Sequence, residues 1–164
     1  MIHIITGEIG SGKTTYLIKN IIEPNKHLIF NGYLTERIYF DENNKSRHNT
    51  VGFSFKTFTG KTIQFAHKTE KIGNIFIKDY WISEESFIKV VDEMNTINNY
   101  DVLIIDELGI FEQNFKNFIN NIKNLVNNSQ NAYLIIQQRA LEKWISYLSC
   151  DKYEIITIIG YFSR

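Results

Sequence analysis

Gly7-Glu8-Ile9-Gly10-Ser11-Gly12-Lys13-Thr14 fits the pattern G-x-x-x-x-G-K-[ST]. Such a loop wraps phosphates with its backbone N–H groups, its Lys reaches the β- and γ-phosphates, and its last hydroxyl ligates Mg²⁺. Average composition produces these four fixed positions by accident in roughly one chain of this length in two hundred. The flanks lower those odds. His3-Ile4-Ile5 reads as a short buried strand, and Leu17, Ile18, Ile21 and Ile22 recur at helical spacing across 14–22. Strand, loop and helix in that order are what a P-loop requires. Residues 7–14 and Thr15 are therefore expected to bind the nucleotide, with Lys13 catalytic and Thr14 on the metal.

Further along, Leu28-Ile29-Phe30 starts a second strand after the break at Pro24-Asn25. Asp101-Val102-Leu103-Ile104-Ile105-Asp106 is a nearly continuous apolar run ending in a carboxylate, as in a central parallel strand. Tyr133-Leu134-Ile135-Ile136 reads as another buried strand, ending in Gln137-Gln138-Arg139, and a last strand spans Tyr153 to Ile159. Helices are expected between them. One starts at Ser83, a good N-cap before Glu84 and Glu85; another carries Phe115, Phe118, Ile119, Ile122, Leu125 and Val126; a third carries Leu141, Trp144, Ile145 and Leu148. The abundant Asn residues of 114–131 fall on the wet face of the middle helix. Alternation of strands and helices predicts an α/β fold, a doubly wound and mostly parallel sheet.

Residues 31–80 differ. Val51, Phe53 and Phe55 alternate with Gly52, Ser54 and Lys56, Thr59-Gly60-Lys61 suits a turn, and Ile63 and Phe65 alternate again. The spacing predicts an antiparallel β insertion carried on the α/β core, within one domain over 1–164.

Ligands in open parallel sheets bind beyond the carboxyl ends of the strands. The P-loop, Asp106-Glu107 and Gln137-Gln138-Arg139 all fall at that edge. Asp106 has the form of a Walker B carboxylate that holds Mg²⁺, and Glu107 is placed to orient or deprotonate a water attacking the γ-phosphate. Asp106-Glu107-Leu108-Gly109 also fits the D-x-x-G of small GTPases. No N-K-x-D segment accompanies it, which argues against dedicated guanine readout. Arg37, in the insertion after a turn-like segment, and Arg139 are the candidates for neutralising charge on the γ-phosphate. Gln137 or Gln138 would sense that phosphate. Of Tyr33, Phe40, Phe58, Tyr80 and Trp81, most are expected in the core and one against a base.

Lys plus Arg number 18 and so do Asp plus Glu, so no global field attracts nucleic acid or an anionic membrane. Four scattered His residues lack metal-ligand spacing, and the single Cys150 rules out an internal disulfide and suits a reducing compartment. The chain enters a strand directly, with neither a signal-peptide pattern nor an apolar run of spanning length. A soluble, cytoplasmic protein is expected.

These residues resemble the THEP1-type nucleoside-triphosphatases. Beside the P-loop, Gly32-Tyr33-Leu34-Thr35-Glu36-Arg37 resembles the segment after that family's second strand, and Val51-Gly52-Phe53 its G-F strand, though Thr50 stands near where an Arg is usual. Asp106-Glu107-Leu108-Gly109-Ile110-Phe111-Glu112, followed by Phe115, is close to its extended Walker B and is the most diagnostic piece. Gly160-Tyr161-Phe162-Ser163-Arg164 lacks the family's Asn-Arg. The resemblance implies a RecA-like three-layer α/β/α fold and slow Mg²⁺-dependent hydrolysis of ATP, GTP and other triphosphates with loose base specificity. It implies functional roles for Lys13, Thr14, Asp106, Glu107, Arg37 and Glu112. Two other readings share the same motifs: a small-molecule or nucleoside kinase, against which the scarcity of Arg argues, and a nucleotide-gated module regulating a protein partner.

Overall fold

The computed structural model describes residues 1–160, so the C-terminal stretch containing Arg164 lies outside the described residues. Nine strands form one sheet in the order β5-β6-β4-β3-β2-β7-β8-β1-β9. Strands β1 (Ile2–Thr6), β2 (Phe30–Tyr39), β7 (Val102–Leu108), β8 (Ala132–Ile136) and β9 (Glu154–Thr157) make the parallel half. Strands β3 (Thr50–Thr57), β4 (Thr62–His67), β5 (Ile75–Ile77) and β6 (Tyr80–Ile82) extend it antiparallel. Both sheet faces are covered. Ile4, Leu103, Ile105, Leu134 and Ile136 pack on one face with α2 (Glu84–Asn95), α3 (Lys116–Asn128) and α4 (Leu141–Leu148). Ile5, Val102, Ile104 and Ile135 pack on the other with Leu17 of α1 (Lys13–Leu17). This is the expected three-layer α/β/α architecture, with alternate residues of each central strand feeding opposite layers.

β2 joins the two halves. Its first residues pair with β7, Phe30 to Tyr33 opposite Val102 to Ile105, and Tyr33 to Tyr39 pair with β3. Arg37 therefore sits inside a strand and follows no turn-like segment. Gly32 has φ +107°, and a Cβ there would come within 1.7 Å of the Ile104 carbonyl oxygen. Only the missing side chain lets the strands approach so closely.

Several expectations hold in detail. Ser83 Oγ accepts from the Ser86 N–H at 3.2 Å, and Phe87, Val90, Val91 and Met94 are buried. Asn117, Asn120, Asn124, Asn127 and Asn128 are exposed on α3. The Thr57–Lys61 turn closes with Thr57 N donating to Lys61 O at 2.8 Å. Elsewhere the chain departs from the pattern. After Leu17 the first helix loosens into a π-turn (Ile18–Ile22) and a 3₁₀ turn (Glu23–Asn25). Pro24 has no N–H for the Asn20 carbonyl, so a regular α-turn cannot continue there. On β3, Gly52 and Ser54 are as buried as Phe55, because a bulge between Phe53 and Ser54 interrupts the alternation. The last strand, expected to span Tyr153 to Ile159, covers only Glu154–Thr157.

Under the antiparallel half lies an aromatic core. Phe55 stacks on Phe65 with centroids 4.1 Å apart, and Phe87 meets Phe55 edge-on at 5.2 Å and stacks on Phe115 at 4.2 Å. Burying each such ring contributes roughly 1.5–3 kcal/mol, plus a smaller term for the ring geometry. The insertion is thereby fastened to α2 and α3. Among the described residues no helix is long and apolar enough to cross a membrane.

Candidate active site

β1 delivers the chain into the loop at Gly7, and α1 leaves it at Lys13. The turn into the helix is made by Gly12, whose φ of +89° lies in the left-handed region and whose absent Cβ leaves the space before it open. The Lys13 side chain is buried. Its Nζ donates to the carbonyl oxygens of Gly7 at 3.1 Å and Glu8 at 2.7 Å. Burial lowers its pKa, while Glu107 and Asp106 oppose that effect.

Asp106 is 1 % exposed and lies on β7, separated from the P-loop strand by β8. Thr14 Oγ1 donates to its two carboxylate oxygens at 3.2 and 3.1 Å, and the Thr35 N–H donates to Oδ2 at 3.3 Å. Thr35 Oγ1 also donates to the Asp106 carbonyl. Burial, then the Glu107 carboxylate beside it, pushes Asp106 up to about 7. A buried carboxylate and a hydroxyl side by side fit a hard divalent cation. Among the described residues no three acidic, His or Cys side chains cluster as a self-sufficient metal cage. Mg²⁺ is commonly held by one or two protein oxygens, with phosphates and water in the remaining positions.

β7 does not stop at Asp106. A register shift against β8 falls between Asp106 and Leu108, so Glu107 bulges out and faces the cleft. Burial raises the Glu107 pKa; Lys13, the Gln137 amide, Arg37 and Arg139 pull it back. The strand's continuation is fixed on the other side. Trp144 Nε1 donates to Gly109 O at 3.1 Å, and the Gly109 N–H donates to Glu112 Oε2 at 2.8 Å.

The cleft has a volume of about 740 Å³ and runs from the P-loop past Glu107 to the insertion. Gly10, Gly12, Lys13, Thr14 and Thr15 line one end; Arg37, Gln137 and Arg139 line it further along. Arg37 donates to Thr50 Oγ1 at 3.3 Å, and Arg139 Nε lies 3.4 Å from Gln137 Oε1. Gly7, Glu8 and Ser11 instead border a smaller groove of about 300 Å³ behind the loop, with Gln138 and Thr157. Ile9 and Gly10 border both.

A family model described as NTPase matches residues 2–160. The chain belongs to the THEP1-type NTPase family. THEP1 from the hyperthermophile Aquifex aeolicus superposes with a TM-score of 0.73 at 26% identity, covering 100% of this chain and 92% of that one. A human cancer-related nucleoside triphosphatase superposes with a TM-score of 0.69 at 14% identity, covering 98% and 90%, and shares the fold. A comparison with curated proteins finds no match.

Within this NTPase fold, Lys13, Thr14, Glu107, Arg37 and Arg139 line one cleft, and Asp106 lies buried against Thr14. Sequence reasoning missed Thr35 as a partner of Asp106, and it missed Arg47, His48, Lys68, Lys78 and Phe111 as lining residues. Of the aromatics singled out, Tyr33 is fully buried, Phe40 is 83% exposed, and Tyr80 lines the cleft.

Glu112 is buried among these carboxylates. Desolvation pushes it from its ordinary 4.5 up to about 8; the Gly109 amide opposes this, and Glu107 and Asp106 add to it. An acid raised on folding binds more protons folded than unfolded between the two values, so stability falls as pH climbs from about 4.5 to about 8. That full gap is worth roughly 5 kcal/mol, and half of it would lower Tm by roughly 5–10 °C. We expect the nucleotide-free protein to melt lower at pH 9 than at pH 5.5, and Glu112→Gln to flatten that slope. Equal slopes for both proteins in calorimetric scans would rule this out.

Proposed function

We propose that this NTPase hydrolyses the β–γ bond of nucleoside triphosphates, ATP and GTP included, with Mg²⁺ and little base preference. One observation carries the reading: buried Asp106, hydrogen-bonded to Thr14, lies beside Lys13, with Glu107 bulged into the cleft that Thr14 and Lys13 line. Mg²⁺, when bound to Thr14 and Asp106, would neutralise charge on the β- and γ-phosphate oxygens. Lys13 has two carbonyl partners within the loop and can exchange them for β- and γ-phosphate oxygens. Glu107 orients the attacking water and accepts its proton. Arg37 and Arg139 meet the charge that spreads over the γ-phosphate. The protein forms no covalent bond in this scheme; the rate comes from placement and charge.

Loose base specificity is supported by the absent N-K-x-D segment and by the family. kcat/KM for ATP, GTP, CTP and UTP, read from phosphate release, should agree within about a thousandfold. A larger preference corresponds to more than about 4 kcal/mol and would demand a dedicated base pocket. Phosphate release from none of the four would overturn the proposal.

A further inference from the structure

The cleft is more basic than a single triphosphate accounts for. Lys13, Arg37, Arg47, Lys68, Lys78 and Arg139, six of the chain's 18 Lys and Arg, line it against one acidic side chain, Glu107. The chain as a whole is neutral. Among the described residues none of Arg37, Arg47, Lys68, Lys78 and Arg139 has a carboxylate at ion-pair distance. Other surface lysines do find one: Lys45, Lys56, Lys61 and Lys89 pair with glutamates.

Lys13, Arg37 and Arg139 act on Glu107. Arg47, Lys68 and Lys78 come from the insertion. Lys78 has an unusual backbone for its side chain. The two-residue turn between β5 and β6 is Lys78-Asp79, with φ of 46° and 71°, where Asn-Gly is the preferred pair. A bulky side chain held at positive φ on a cleft wall points to a role for that side chain.

Between these cations stands an aromatic wall. Phe53 and Tyr80 have centroids 5.4 Å apart, and Phe111 lies 5.5 Å from Tyr80. Lys68 Nζ is 5.3 Å from the Tyr80 ring centre, and the Arg37 guanidinium 6.0 Å from that of Phe53. Cations beside partly exposed rings suit a ligand with a phosphate and a planar group.

The stereochemistry of the proposed reaction tells which ligand this is. Phosphoryl transfer is roughly in line, so the attacking oxygen enters opposite the β-phosphate. With the γ-phosphate at Lys13 and the water at Glu107, in-line transfer puts the β-phosphate and its nucleoside on the side opposite Glu107. The insertion end lies on the attack side and stays open to a second molecule. Resting on the hydrolase reading above, we infer that Arg47, Lys68, Lys78, Phe53 and Tyr80 form a binding site for a second, phosphorylated ring compound of the nucleoside-monophosphate class. It is occupied together with the triphosphate.

The test is calorimetric titration of AMP into protein saturated with Mg²⁺ and a non-hydrolysable ATP analogue. AMP should bind with the analogue in place. Lys68→Ala combined with Lys78→Ala should weaken AMP at least about tenfold and leave the analogue's affinity within about threefold, which also reports an intact fold. Tyr80→Leu should weaken AMP while sparing ribose 5-phosphate. The inference falls if AMP does not bind beside the analogue, if the double variant binds AMP as the wild type does, or if a ten-residue oligothymidylate binds tighter than AMP. Failure of the analogue itself to bind would remove the P-loop reading and this site with it; analogue binding without AMP binding would remove this site alone.

Discussion

Lys13→Ala should lose Mg²⁺-triphosphate binding by at least about a hundredfold while the chain stays folded. The ammonium is the one cation buried at the loop, and charge-assisted bonds to phosphate oxygens contribute roughly 1.5–3 kcal/mol each. Two such bonds correspond to about two to four powers of ten in affinity. Removing the charge also leaves Asp106 and Glu107 without the lysine that holds their pKa values down. Both carboxylates then take up protons more readily, and the Mg²⁺ site weakens near neutral pH. Stability changes much less, since Lys13 contributes two bonds to carbonyls of its own loop and its desolvation penalty disappears with it. Calorimetric titration with Mg²⁺ and a non-hydrolysable ATP analogue checks the affinity, and a thermal scan checks the fold. Unchanged binding would remove the P-loop from the account.

Glu107→Gln separates binding from turnover. An aligned general base is worth about 10² to 10⁴ in rate. The substitution keeps the size of the side chain and removes only its basic oxygen and its charge. Affinity for the triphosphate should hold or rise, because one negative group near the γ-phosphate is gone. Turnover should drop at least about a hundredfold. Asp106→Asn should behave differently, since Asp106 is buried against Thr14 and Thr35 and does not face the water. It should raise the Mg²⁺ concentration needed as well as slow the reaction. The bulge between Asp106 and Leu108 underlies this contrast: it turns neighbouring carboxylates toward different partners.

The central part of this arrangement is legible in the sequence because each piece carries a local signature. The P-loop has fixed glycines and a lysine. Asp106 closes an apolar run that only a strand buried on both faces would carry. Ser83 announces its helix by capping chemistry. The insertion is harder to read because its determinants are distant or brief. Gly32 answers the Ile104 carbonyl, which no neighbouring residue reveals. Thr35 meets Asp106 across 71 positions. Strands β5 and β6 have three residues each, too few for alternation to appear, and their turn is Lys78-Asp79, without the glycine or asparagine that marks a hairpin. Lys78 and Tyr80 of the basic and aromatic half of the cleft come from those strands and their turn, while Arg47, Phe53 and Lys68 come from earlier in the insertion, so that half stays hidden until the sheet is assembled.

Single-turnover hydrolysis of Mg²⁺-ATP, measured with nucleotide affinity on the same preparations of wild type and Glu107→Gln, decides whether Glu107 activates the attacking water. We predict equal or tighter binding by the variant and phosphate release at least about a hundredfold slower. Phosphate release at the wild-type rate would contradict water activation by Glu107.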